Sequence, residues 1–152
     1  MHYLFDVDGT LTPSRGVMDP EFKKWFSRFM DMYQVSFVTG SDIEKTVEQI
    51  GQDLIDKSQF TFNCAGNYIT RGGDCIYAST WKCPRDLWIW LEDQLHKSEY
   101  TNKYGRNFEE RPGLLNFSVV GREAQGDQRL EYFMWDKITK ERTRIADHIN
   151  LV

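Results

Sequence analysis

With 152 residues, 40% of them hydrophobic and 28% charged, the sequence suits one domain, or one domain with a small appendage, whose core needs no disulfide staples. A net charge of -4 speaks against a general nucleic-acid binder, which gains affinity from a basic surface. No apolar run approaches the ~18 residues of a membrane span, and no basic-then-apolar leader precedes Tyr3, so the expectation is a soluble, cytoplasmic chain with no membrane partner. Cys64, Cys75 and Cys83 are odd in number and lack CxxC spacing, which fits reduced thiols.

In chain order, His2–Phe5 reads as a short buried strand that delivers Asp6 to its carboxyl end. A polar loop runs to Asp19, which can cap a helix with Pro20 in its first turn. Phe22, Trp25, Phe26, Phe29, Met30 and Tyr33 recur at helical spacing. Val35–Val38 reads as a second strand, followed by Thr39-Gly40-Ser41-Asp42. Ser41 or Asp42 can cap the next helix, and Gly51 stops it. Phe60–Phe62 is a third strand. Strands alternating with helices at this spacing imply βαβ units and a parallel sheet, with ligands at the carboxyl ends of the strands.

The following piece differs. Two alternating segments around Gly72-Gly73 read as a β-hairpin. Leu87, Trp88, Leu91 and Leu95 mark a helix after Pro84. Leu114 to Gly121 reads as a strand, and the remainder as mostly helical. The five tryptophans are expected in core or interface packing. The boundary between modules falls near Cys83-Pro84, giving an α/β core over 1–82 and a partial cap over 83–152.

Asp6 and Asp8, in "FDVDGTLT", carry the chemistry. Asp-Gly between apolar residues can also make a hairpin turn. A calcium loop needs a further oxygen ligand before the glycine and a later glutamate, which are absent after Asp8. As a team, one carboxylate can attack phosphorus and form an aspartyl phosphate, while the other moves the proton of the leaving or incoming oxygen. An anionic nucleophile approaching a phosphoryl group needs a cation, and Mg²⁺ suits oxygen ligands and phosphate together. Gly9 allows a tight turn that aims amides at the phosphate.

"DVDGT" after an apolar strand resembles the first motif of the haloacid-dehalogenase-like phosphotransferases. "LFDVDGTLTPSR", "GSDIEKTVEQIG", "RPGLLNFSVVGR" and "QRLEYFMWDK", in that order, resemble the eukaryotic-type phosphomannomutases over nearly the whole chain. The resemblance implies an incomplete Rossmann-like α/β core with a partial α+β cap. It implies Asp6 as nucleophile and Asp8 as general acid/base, with Mg²⁺ bound by the Asp6 side chain and the Asp8 carbonyl. It implies a mutase for hexose 1- and 6-phosphates, mannose favoured, activated by a hexose 1,6-bisphosphate. A Mg²⁺-dependent sugar phosphatase and a silent sugar-phosphate-binding or assembly domain are the alternatives.

Arginine is the planar donor suited to phosphate. By resemblance Arg15 follows the Thr-Pro, and Arg111, Arg122 and Arg129 are the cap arginines that grip a hexose phosphate. Thr39, Gly40 and Ser41 stand where the family has Gly-Gly-Ser, so either Thr39 or Ser41 can serve the phosphoryl group. Cys64-Ala65 stands where the family has Glu-Asn. The family's polypeptide continues past the helix that reaches Val152, into a segment carrying a basic residue and further metal-binding acids. The expectation is therefore an unpaired sheet edge, and a homodimer or a second chain that completes the core.

Overall fold

The computed structural model describes residues 1–150. The chain forms two compact units, one of Met1–Lys82 with Arg111–Leu114, the other of Cys83–Glu110 and Leu115 onward.

In the first unit, β1 (His2–Asp6), β2 (Gln34–Val38) and β3 (Phe60–Asn63) run parallel. β4 (Tyr68–Arg71) and β5 (Asp74–Ala78) form the expected hairpin, which extends the sheet antiparallel from β3 in the order β1-β2-β3-β4-β5. The first three strands are joined by helices because parallel neighbours need a crossover longer than a turn. The Asp-Gly pair makes no hairpin, since β1 pairs with β2.

Helix α1 (Pro20–Met32) starts where Asp19 Oδ1 accepts the Phe22 amide at 2.9 Å. Its inner face buries Phe26 and Met30, and Phe26 meets Phe5 edge-on at 5.2 Å. Trp25 is 58% exposed and stacks on Phe22 and Phe29 at the rim. Asp42, rather than Ser41, caps α2 (Ile43–Ile50). Gly51, at φ 91°, ends α2 in backbone that an L side chain adopts at a cost. A helix not foreseen, α3 (Gln52–Lys57), follows at once and buries Leu54 and Ile55. Six residues are too few to show a periodicity. Val7, Leu11, Phe26, Val35, Phe37, Ile50, Leu54 and Ile55 form the core. β1 ends the sheet, and Leu4 at its middle is 61% exposed.

The second unit holds α4 (Arg85–Lys97), most of a two-stranded sheet of β6 (Phe108–Arg111) and β7 (Leu114–Phe117), whose connecting end Arg111–Leu114 counts with the first unit, α5 (Gly126–Thr139) and α6 (Glu141–Ile149). Its core is Leu91, Tyr100, Val119, Val120, Ala124, Tyr132 and Ile145. Strand β6 was not foreseen, and the strand expected to reach Gly121 stops at Phe117. There the Asn107 side chain donates to the carbonyls of Ser118 and Val119 in place of a regular ladder, and Val119 and Val120 remain buried. Trp90 and Trp135 pack against this core, whereas Trp81, like Trp25, is largely exposed. The three cysteines are free thiols. Among the described residues no helix is long and apolar enough to cross a membrane.

Candidate active site

β1 carries Asp6 to the carboxyl end of the parallel strands, and the chain then turns sharply. The amides of Leu11 and Thr12 bond the Val7 carbonyl, and Gly9, at φ 79°, supplies a left-handed residue that only glycine adopts freely. Asp6 is exposed, with Oδ2 accepting the Thr10 hydroxyl at 3.0 Å. Val7 between the two aspartates is fully buried. The tight turn thus holds both carboxylates on a fixed base.

Asp8 is bound more firmly. Its Oδ1 accepts the Arg15 amide at 2.6 Å and Gln49 Nε2 at 2.9 Å, and its Oδ2 accepts the Ser41 hydroxyl at 3.2 Å. Burial pushes this carboxyl up, but the donors from Arg15, Gln49 and Ser41, with the Arg15 charge, outweigh it and hold the group below its ordinary value. Asp8 is therefore a carboxylate at neutral pH.

The segment after β2 lies beside Asp8. Thr39 is buried, and its hydroxyl accepts the Ser41 amide at 3.1 Å. That leaves the Ser41 hydroxyl as the one turned to Asp8. Arg111 reaches the same segment, donating to the Gly40 carbonyl at 3.1 Å and pairing with Asp42 at 3.1 Å. Arg15 is exposed at the end of the Asp8 turn, at φ 60°. Asp6, Asp8, Arg15, Thr39, Gly40, Ser41 and Arg111 thus belong to one unit.

Arg122 and Arg129 belong to the other. Both line a cavity of about 460 Å³ with Phe117, Val120 and Arg142 among its walls. Arg122 is paired to Glu109 at 2.8 Å, and Arg129 Nε donates to the Ala124 carbonyl.

Among the described residues no group of three acidic, histidine or cysteine side chains could hold a metal ion. The oxygens that would hold Mg²⁺ are the exposed Asp6 carboxylate and the main-chain carbonyl of Asp8, since the Asp8 carboxylate oxygens already accept hydrogen bonds. Two protein oxygens fit Mg²⁺, which keeps several waters and takes other ligands from a phosphate.

A family model described as eukaryotic phosphomannomutase matches residues 22–151. The chain belongs to that family. Among similar proteins are a phosphomannomutase of Saccharomyces cerevisiae, 29% identical over 150 residues, and phosphomannomutase 1 of Mus musculus, 31% identical over 152 residues. Each alignment takes in 95% of this chain but only 59% and 58% of the relative. The chain therefore spans less than two thirds of the length of these phosphomannomutases. Among solved structures, a haloacid dehalogenase-like hydrolase from Bacteroides thetaiotaomicron has a TM-score of 0.48 at 16% identity, covering 63% of this chain and 37% of that one.

Gln49 is the site residue that sequence reasoning missed. It is fully buried, and it also donates from Nε2 to Thr12 Oγ1 at 3.3 Å. The available signal was a polar residue on the inward face of "IEKTVEQI", between Thr46 and Ile50, which are both buried.

Proposed function

We propose that the chain is a phosphotransferase of hexose phosphates, acting as a mutase that exchanges 1- and 6-phosphates with mannose as the favoured sugar. The observation that carries this reading is an exposed Asp6 two residues before a triply hydrogen-bonded Asp8, at the carboxyl end of a parallel strand. Asp6 is the nucleophile. When a phosphoryl group leaves Asp6 for a sugar hydroxyl, the Asp8 carboxylate takes the hydroxyl proton. The bisphosphate so formed turns over. Asp6 then attacks the other phosphorus, the sugar P–O bond breaks, and Asp8 returns the proton to the sugar oxygen. An Asp8 held ionised suits a cycle that starts from phosphorylated enzyme and a hexose monophosphate, with hexose 1,6-bisphosphate as the priming species.

The Asp6 carboxylate and the Asp8 carbonyl would hold Mg²⁺, which when bound would supply charge that offsets repulsion between carboxylate and phosphate. Ser41, with Thr39 and Gly40 behind it, and Arg15 serve the reacting phosphoryl group. Arg111, Arg122 and Arg129 serve the phosphorylated hexose. Binding energy away from the reacting atom then aligns it.

Two observations favour a second reading each. Asp6 is open to solvent, which favours hydrolysis of the aspartyl phosphate and hence a phosphatase. Leu4 is bare on a terminal strand, which favours assembly with a second copy or another chain that completes the core.

The test is incubation with hexose 1,6-bisphosphate and Mg²⁺, followed by intact mass and phosphorus NMR. A mutase gains one phosphoryl group, loses that gain in Asp6→Asn, and converts mannose 1-phosphate to the 6-phosphate with little free phosphate. A phosphatase releases phosphate instead. No phosphoryl gain in the intact chain leaves the assembly reading.

A further inference from the structure

Gln49 touches the turn that follows β1 at three separate points. Its Nε2 donates to Asp8 Oδ1 at 2.9 Å and to Thr12 Oγ1 at 3.3 Å, and its main-chain carbonyl accepts the Met18 amide at 2.8 Å. It is fully buried in the last turn of α2, on a helix fixed at its start by the Asp42 cap. We infer that Gln49 is a positioning residue, which fixes the Asp8 carboxylate by clamping the Asp8–Met18 turn onto α2.

The other two donors to Asp8 are less rigid. The Arg15 amide lies on the exposed part of the turn itself, so it moves with what it would hold. The Ser41 hydroxyl, at 3.2 Å, swings about a single torsion. Gln49 alone comes from a packed helix and reaches both the carboxylate and the turn beyond it. Its Oε1 is buried without a hydrogen-bond partner among the described residues. Such an orphan costs free energy, and the amide keeps this orientation because the reverse one would set a carbonyl oxygen against the Asp8 carboxylate. The arrangement gives up one acceptor to secure two donations.

This inference rests on the phosphoryl-transfer reading for its meaning in catalysis, but its geometry is testable without turnover. In isotope-labelled protein, the Asp8 side chain is expected in a single rotamer by three-bond couplings, and the Gln49 side-chain amide is expected to exchange far more slowly than that of exposed glutamines. Gln49→Leu, which keeps volume and removes both donations, is expected to leave backbone shifts of the sheet unchanged while Asp8 averages over rotamers. Thr12→Val, which removes only the second acceptor, is expected to leave Asp8 in one rotamer. If the enzyme turns over, Gln49→Leu should cost ~10²-fold in transfer rate at unchanged substrate affinity.

A folded Gln49→Leu protein with Asp8 still in one rotamer overturns the inference. Should that variant fail to fold, fast exchange of the Gln49 amide in the unaltered chain overturns it. A fixed Asp8 in a chain that never gains a phosphoryl group on Asp6 defeats the phosphoryl-transfer reading and leaves the clamp standing.

Discussion

Asp42 binds with both carboxylate oxygens, accepting the Lys45 amide on Oδ1 at 2.9 Å and pairing through Oδ2 with Arg111 at 3.1 Å. One side chain therefore caps α2 and anchors an arginine beside the Gly40 carbonyl. Replacing Asp42 by Asn keeps a capping oxygen and removes the charge, whereas Ala removes both. Asp42→Ala is expected to cost ~1 kcal/mol for the cap, with Asp42→Asn costing less. Urea denaturation of the two variants checks the order, and equal losses would refute the capping role.

Ala65 takes φ 54° and ψ 36°, the left-handed region, and is exposed. This is the position at which the family pattern has asparagine, one of the few residues that tolerates such backbone. Ala65→Gly and Ala65→Asn should each raise stability by about 0.5–1 kcal/mol, because neither disturbs packing and both relieve the backbone. A melting temperature that falls in both variants would contradict this account.

Asp8 makes stability depend on acid in a defined direction. Its folded value lies below the ordinary 3.8 because its three donors outweigh burial. The contribution is fully present above that ordinary value, and it is lost as pH falls through the lowered folded value. Asp8→Asn should flatten the stability profile over that acid range only. Denaturation midpoints measured from neutral pH downward test this, and a difference that persists unchanged at the lowest pH would argue against it.

The reading from sequence succeeded where the signal was local. Asp19 before Pro20, Gly51 after Ile50 and Gly72-Gly73 between alternating strands each state their backbone role within a few residues, and the cap of α2 was narrowed to Ser41 or Asp42. It failed where distant groups decided. Val119 and Val120 look like strand residues, but the Asn107 side chain takes the Ser118 and Val119 carbonyls, and the regular strand ends at Phe117. Trp25 fits the apolar period of α1 yet lies 58% exposed, stacked on Phe22 and Phe29 rather than inserted into the core. Of the candidate site, Asp6 and Asp8 were legible as residue types in a motif, and Thr39 and Ser41 as alternatives. Gln49 was not, because its only mark was polarity on an apolar face.

The alternation of β1, α1, β2 and α2, the β4–β5 hairpin and the pair of aspartates after β1 were determined by the sequence alone, since each depends on neighbours a few positions away. Which donors seize Asp8, which hydroxyl faces it and which sheet edge stays open were decided by tertiary structure. Those properties depend on groups up to 41 residues apart in the chain, and only packing brings them within hydrogen-bonding reach.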